Sequence, residues 1–134
     1  MIPLFVKQLM NHESPTINGD GSFSRDFTFI DNVIQMNVLC LTTQNEEALN
    51  QIYNTACGER TTLIQLVDYL KKYLSEYDSD ISNVNVKYGP KRKGDVPHSL
   101  ASVQKAKQLL NYKSSIMMEK GIKEAVSWYW LNLK

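Results

Sequence analysis

The chain has 134 residues, of which 43% are hydrophobic and 22% are charged, and its formal net charge is +1 at pH 7. A chain of this length can bury roughly two-thirds of its unfolded surface, so it can fold as one ordinary domain without disulfides or metal ions. Because charges of both signs are spread along the chain, the composition argues against a nucleic-acid surface and against a polybasic membrane anchor.

Hydrophobic periodicity predicts five helices with a few short strands between them. Apolar residues at helical spacing mark the helices, and alternating bulky or β-branched residues mark the strands. In chain order the predicted elements are a helix over residues 4–9, an extended piece at 16–17, a strand over 27–30, a helix over 32–43, a strand over 52–56, a helix over 63–74, a strand over 84–88, a helix over 103–110 and a helix over 118–133.

Capping and turn residues set the boundaries of these elements. Asp31, Thr61 or Thr62, and Ser102 are the N-cap candidates, because their short polar side chains can accept a hydrogen bond from the first helical turn. Residues 19–21, Gly-Asp-Gly, predict a tight turn. This turn lacks the third glycine of a dinucleotide fingerprint and follows no long strand, so it does not predict a cofactor loop.

The predicted strand over residues 52–56 is apolar and raises the question of what covers it. Strands of this kind are usually buried on both faces within a larger sheet. The rest of the chain predicts too few strands for such a sheet. We therefore expect the larger sheet to come from another polypeptide segment.

The two cysteines and the N-terminal segment bear on the compartment. Cys40 and Cys57 each lie in an apolar stretch, which favours buried free thiols in a reducing environment over a disulfide. The first residues lack the sections of a signal peptide, and no apolar run approaches the ~20 residues that span a bilayer. We expect a cytoplasmic protein with no nucleic-acid or membrane partner.

Two short loops with arginines carry the strongest functional signal. Arg25 follows the glycine turn, and Arg92 follows the last predicted strand. Guanidinium groups bind phosphate oxygens through paired, charge-assisted hydrogen bonds, so two arginines from different loops can clamp a diphosphate. Taken alone, Arg25 and Asp26 would be a surface pair worth less than ~1 kcal/mol, and residues 91–93 a solvated basic run. His12 and His98 lack the neighbouring ligands of a metal site.

Three ordered segments, residues 17–32, 53–56 and 92–101, resemble the C-terminal third of extended short-chain dehydrogenase/reductases that epimerise nucleotide sugars. Within these, the chain is most similar to bacterial UDP-N-acetylglucosamine 4-epimerases that supply surface polysaccharides. The resemblance implies an α/β fold. It implies a single small C-terminal substrate-binding domain over residues 1–134, with few short strands, several helices and the Rossmann half absent.

The resemblance also implies roles for individual residues. In the family the two arginines reach the UDP diphosphate, an acid accepts from a ribose hydroxyl, and the main chain of a strand meets the uracil ring. His98 and Ser99 match residues of the hexosamine subgroup but receive no definite role. The implied site consists of Arg25 and Arg92 for the diphosphate, Asp95 for the ribose, and Ile17 and Asn18 for the uracil.

The catalytic pair of the family is missing from this chain. The residue four positions after each of the seven tyrosines is never lysine, so no Tyr-x-x-x-Lys motif occurs. We expect the chain alone to bind no NAD and to be inactive, although NAD is implied for the complete enzyme. The expected partners are a UDP-sugar and the missing N-terminal Rossmann half.

Two alternatives remain open from the sequence. The chain could belong to a nucleotide-sugar dehydratase or decarboxylase, which shares the diphosphate arginines. It could also be a non-catalytic interaction module that associates with itself or with a partner through exposed apolar surface.

Overall fold

The structure is a computed structural model and describes residues 1–133. Its helices are joined by short strands and by two 3-10 turns, Glu46–Ala48 and Ser79–Asn83. The elements in chain order are α1 (Ile2–Met10), β1 (Thr16–Asn18), β2 (Ser24–Arg25), α2 (Ile30–Thr42), β3 (Thr61–Thr62), α3 (Leu63–Leu74), β4 (Lys87–Gly89), α4 (Gln104–Leu110) and α5 (Met118–Asn132).

The strands form two small sheets of two strands each among the described residues. β1 pairs with β4 in parallel, with Ile17 opposite Tyr88, and β2 pairs with β3 in antiparallel fashion, with Arg25 opposite Thr61. The expected α/β class, with few short strands and several helices, is confirmed.

The larger core lies where α3 packs between α1 and α5. The predicted periodicity of α3 is confirmed, and its buried face includes Leu66, Leu70 and Leu74. The helix begins with a capping box: the Thr62 hydroxyl accepts from the Gln65 main-chain N–H at 3.2 Å, and Gln65 Oε1 accepts from the Thr62 N–H at 2.9 Å. This exchange satisfies two donors at the first turn that otherwise have no partner in the helix.

A second cluster of buried side chains lies between α2 and α4, with Met36, Ala106 and Leu110 at its centre. The side chain of Asn32, also on α2, is fully buried. The Asn32 Nδ2 group donates to the Ile116 carbonyl at 2.7 Å, and Oδ1 accepts from the main-chain N–H of Ile116 at 3.1 Å. The buried amide is therefore hydrogen-bonded on both sides, as burial of a polar group requires.

The predicted strand over residues 27–30 is wrong. α2 already begins at Ile30, and its N-cap is Phe29 rather than Asp31. The bulky residues here pack against helices instead of pairing with a strand, since a Cβ on Gly121 of α5 would lie 3.0 Å from the Phe29 Cβ. The alternation of bulky residues that indicated a strand therefore serves packing against helices.

The predicted strand over residues 52–56 is also absent in this chain. No residue of the described chain pairs with it, and Ile52 is 89% exposed rather than buried. The strand predicted over 84–88 is shorter and later, because only β4 finds a register with β1.

Two smaller predictions, the N-cap of the fourth helix and the burial of Cys40, are wrong. The N-cap of α4 is Val103, whereas Ser102 accepts a hydrogen bond from the Asn54 side chain through its carbonyl. Cys57 is buried as predicted, but Cys40 is exposed. No helix between residues 1 and 133 has the length and apolar character needed to cross a membrane.

Candidate functional site

A cavity of about 330 Å³ brings together five of the residues predicted from the sequence. It lies between α1, the first strand and the loop that follows β4. The predicted residues that line it are Ile17, Asn18, Arg25, Arg92 and Asp95. Residues that are distant in the sequence thus share one concave surface, as a ligand site requires.

Arg25 is held in place by both neighbouring loops. Its guanidinium donates to the Ser24 carbonyl at 2.9 Å and to the Asp95 carboxylate at 3.3 Å. The side chain remains 30% exposed. A guanidinium has five N–H donors, so these contacts orient the group while leaving donors for an anionic ligand.

Arg92 differs from Arg25, because its guanidinium makes no hydrogen bond or ion pair with any residue from 1 to 133. It lies in an exposed loop and still lines the same cavity. Its charge is therefore available to a ligand without the loss of a protein contact. Among the charged side chains of the lining, the two arginines and Asp95 leave an excess of one positive charge, which favours an anion.

The two arginine loops are joined directly at Ser24. The Ser24 N–H donates to the Pro97 carbonyl at 2.9 Å, and the Ser99 N–H donates to the Ser24 carbonyl at 3.1 Å. The Ser24 hydroxyl and His98 Nδ1 lie 2.9 Å apart. His98 and Ser99 are outside the cavity lining, and the contacts of both residues connect the loops.

Asp26 fastens the arginine loop to the segment before β3. Its two carboxylate oxygens accept from the main-chain N–H groups of Cys57 and Gly58, each at 3.0 Å. Hydrogen bonds to an ionised group are stronger than neutral ones. The position of Arg25 therefore depends on its sequence neighbour as well as on β3.

β1 places Ile17 and Asn18 in the cavity lining, and one edge of this strand pairs with no other strand of the described residues. β4 pairs with only one side of β1, and the Gly19 N–H donates to the Gly89 carbonyl at 2.8 Å just beyond it. No other strand of the described chain covers the opposite edge. Main-chain donors and acceptors on such an edge can bind the polar rim of a planar ring.

The other wall of the cavity is apolar, and the sequence analysis did not predict it. Leu4 and Phe5 from α1 and Leu63 from α3 line it. Their pattern had been attributed to amphipathic helices, which is the usual reason for such spacing. A wall of this kind beside polar groups is typical of small-molecule sites.

A second cavity of about 260 Å³ lies between α1, α5 and residues 27–30. Its lining is apolar and aromatic, with Phe29, Met118 and Tyr129 among its residues. Since it presents no charged group, it does not fit a diphosphate. Among residues 1–133 there is also no group of three acidic, cysteine or histidine side chains that could hold a metal ion.

The glycine turn at residues 19–21 does not have the geometry of a dinucleotide-binding loop. Gly19 and Gly21 have φ near +84° and +80°, and the turn they form leads into β2, not into a helix. A Cβ on Gly21 would clash with the Ile64 side chain, so this glycine allows close packing against α3. The turn therefore offers no helix N-terminus to a pyrophosphate.

Comparison with known proteins points to a single family. The sequence model of the family described as GDP-mannose 4,6 dehydratase matches residues 1–125. The UDP-glucuronate 4-epimerase of Thermodesulfobacterium geofontis is 29% identical over 131 residues, which are 97% of this chain and 38% of that protein.

Solved structures of two epimerases have the same fold over nearly the whole chain. The UDP-N-acetylglucosamine 4-epimerase from Methanobrevibacter ruminantium M1, in complex with UDP-N-acetylmuramic acid, is 30% identical with a TM-score of 0.83 and is matched over 98% of this chain and 39% of its own. The UDP-glucuronic acid 4-epimerase from Bacillus cereus, in complex with UDP-glucuronic acid and NAD, is 26% identical with a TM-score of 0.78. The match covers 97% of this chain and 39% of that protein. The chain therefore spans about two-fifths of the length of these proteins and corresponds to their C-terminal portion.

Proposed function

The chain belongs to the GDP-mannose 4,6 dehydratase family, among the extended short-chain dehydrogenase/reductases that act on nucleotide sugars, and we propose that it is the UDP-sugar-binding part of a 4-epimerase. The resemblance inferred from its motifs is thereby confirmed. The finer assignment, to UDP-N-acetylglucosamine and to surface polysaccharide precursors in the cytoplasm, is our proposal.

The observation that carries this proposal is the shared cavity of Arg25 and Arg92. Two guanidinium groups from separate loops reach one concave surface, together with the Asp95 carboxylate and the free edge of β1. In our proposal the arginines bind the diphosphate, Asp95 accepts from a ribose hydroxyl, and the main chain of Ile17 and Asn18 binds the uracil. The chain thereby holds the nucleotide end of the substrate.

The chemistry of the epimerisation belongs, in our proposal, to the part of the enzyme outside these residues. NAD held there would supply the reversible oxidation at C4 of the sugar. The contribution of this chain is to hold the UDP so that the sugar can turn without dissociating, which keeps the reacting groups close together. We expect no turnover of a UDP-sugar by the chain alone.

Calorimetric titration of UDP and of UDP-N-acetylglucosamine into the chain tests this function. We expect binding of both ligands, and each of Arg25→Ala and Arg92→Ala should weaken it by about 1.5–3 kcal/mol, because each removes hydrogen bonds to a charged group. Arg60→Ala is the matched control, since Arg60 is exposed and lies outside the cavity lining.

Two results would contradict the assignment. If a folded chain binds neither ligand, it has no preformed UDP site. Equal affinities for the parent chain and for the Arg25 and Arg92 variants would mean that UDP binds elsewhere.

A dehydratase remains the second candidate because the matching family is itself described by a dehydratase. The two arginines serve a nucleotide diphosphate equally in either reaction. The groups that would direct the keto-sugar toward epimerisation or dehydration are expected in the part of the enzyme that holds NAD. Product analysis of the complete enzyme with a UDP-sugar distinguishes the two reactions.

A further inference from the structure

Arg25 already binds an anionic group of the protein itself. Its guanidinium donates to the Asp95 carboxylate at 3.3 Å, and to the main-chain carbonyls of Ser24 at 2.9 Å and Pro97 at 3.4 Å. Asp95 is the one charged acceptor of the three. Any anion that takes donors from Arg25 must therefore compete with this carboxylate.

Arg92 and Asp95 lie in one tight turn, yet they meet different partners. The Asp95 N–H donates to the Arg92 carbonyl at 3.3 Å, and Gly94 adopts a φ of +84° between them. Glycine reaches this conformation without a steric penalty. Both side chains line the cavity, where Asp95 contacts Arg25 and is the one acidic residue of the described lining. The acid thus stands between an arginine that it engages and one that it leaves free.

The contact between Arg25 and Asp95 is suited to exchange. Its length of 3.3 Å exceeds the range of about 2.7–2.9 Å for a strong N–H···O pair between charged groups. The two side chains are 30% and 36% exposed. An ion pair of this exposure changes an equilibrium constant by about fivefold or less, so a ligand that supplies better partners can separate it.

A ligand separates this pair without loss only when it serves both groups. The diphosphate oxygens of a nucleotide accept from Arg25, and a ribose hydroxyl donates to Asp95 in its place. Inorganic diphosphate offers the same acceptors but, when fully ionised, no donor for the carboxylate. It would leave Asp95 unpaired next to a second anion, and like charges repel.

We propose that Asp95 makes the site selective for nucleoside diphosphates over inorganic diphosphate. Arg25 passes from the carboxylate to the diphosphate when a ribose hydroxyl replaces it as the donor to Asp95. The inference rests on the proposed function, because it assumes that UDP binds in this cavity. It gives the acid a second task, which is to reject a diphosphate that carries no ribose.

Titration of one variant with two ligands tests the proposal. UDP and inorganic pyrophosphate are titrated calorimetrically into the chain and into Asp95→Asn, in metal-free buffer because pyrophosphate binds divalent cations. The substitution keeps the size of the side chain and removes its charge. We expect pyrophosphate to bind about three- to fivefold more tightly to the variant, the worth of an exposed ion pair. UDP should bind about tenfold more weakly, because the charged acceptor of the ribose hydroxyl is lost.

Asp68→Asn is the matched control for the loss of a negative charge. Asp68 is exposed on α3 and lies outside the cavity lining. Both affinities should stay within about 1.5-fold of the parent chain at an ionic strength of about 0.15 M, where charges are screened beyond about 8 Å. If Asp68→Asn changed both affinities as much as Asp95→Asn does, the effect would be one of net charge and the proposal would be overturned.

A double-mutant cycle with Arg25→Ala separates competition from repulsion. Repulsion between Asp95 and pyrophosphate does not depend on Arg25, so by itself it gives the same gain in both backgrounds. Competition for Arg25 needs that residue. We therefore expect Asp95→Asn to strengthen pyrophosphate binding at least about twofold more in the parent chain than in the Arg25→Ala chain. Equal gains would overturn the release of Arg25.

The directions of the two changes decide the outcome. Weaker binding of both ligands by Asp95→Asn would mean that the side chain only holds its loop, and tighter binding of both that it acts only as a negative charge. Either result overturns the proposal, as does pyrophosphate binding that is undetectable in both chains while UDP binds. If Asp95→Asn does not fold, Asp95→Ser is judged by the same criterion.

The inference and the proposed function fail in different ways. If UDP binds through Arg25 and Arg92, but Asp95→Asn changes both affinities in one direction, only the selectivity is lost. If no chain binds UDP, yet Asp95→Asn strengthens pyrophosphate binding through Arg25, the competition stands and the nucleotide assignment is removed.

Discussion

At the scale of single residues, polar side chains rather than strands hold the candidate site together. β2 and β3 pair over only two residues each, which is too little to fix a loop. Ser24 joins the two arginine loops through main-chain and side-chain hydrogen bonds, and Asp26 binds two consecutive N–H groups. The geometry around Arg25 therefore depends on a few hydrogen bonds that can be removed one at a time.

Asp26→Ala should destabilise the chain by about 1.5–3 kcal/mol, because it leaves the N–H groups of Cys57 and Gly58 without a charged acceptor. Chemical denaturation in urea measures the free energy of unfolding. Glu59→Ala is the control from the same loop; Glu59 is exposed, and its substitution should change stability by less than about 0.5 kcal/mol. Equal stability of the two variants would mean that the Asp26 contacts contribute nothing.

At the scale of elements, the sequence predicted the helices better than the strands. α3 and α5 have long apolar faces at helical spacing, and their positions in the structure agree with the prediction. Residues 27–30 and 52–56 have strand-like alternation but no ladder in this chain. A helix satisfies its own main chain, whereas a strand needs a neighbour that local sequence does not reveal.

The contact between α3 and α5 predicts a dependence of stability on pH. Glu119 accepts from Lys72 Nζ at 2.7 Å and from the Tyr73 hydroxyl at 2.8 Å. These hydrogen bonds, first that of Lys72 and then that of Tyr73, lower the pKa of Glu119 from its ordinary value of 4.5. The folded carboxyl binds its proton less readily than the unfolded one, so its contribution is complete above pH 4.5 and is lost as the pH falls through the lowered pKa.

Glu119→Gln should therefore reduce the fall in melting temperature below pH 4.5. Melting curves at a series of acidic pH values measure this fall, and carbon NMR of the Glu119 carboxyl gives its pKa directly. Glu76→Gln is the control, since it also removes an exposed carboxylate but one without a hydrogen-bond partner among residues 1–133. A Glu119 midpoint at or above 4.5 would contradict the prediction.

At the scale of the whole molecule, the structure has two cores of unequal extent. The larger joins α1, α3 and α5, and the smaller lies between α2 and α4. The chemistry of their loops already indicated Arg25 and Arg92, whereas Ile17, Asn18 and Asp95 could be predicted only through the family resemblance, because no local pattern brings them to one surface. The apolar wall and the loop contacts of His98 could not be predicted, since they depend on how α1 and α3 meet the loops.

The unequal cores predict unequal stability within one chain. Leu110→Ala empties space in the smaller core, and truncation of a buried leucine costs about 2–5 kcal/mol. Native-state hydrogen exchange should show faster opening of α2 and α4 and little change in α3. Leu70→Ala, the matched truncation in the larger core, should accelerate exchange in α3 and α5 in addition to α2 and α4.

Equal acceleration of all helices by Leu110→Ala would contradict this division and show one cooperative unit. Met36 of α2 and Ala56 both belong to the smaller core. A variant that opens this core should therefore expose the two segments together.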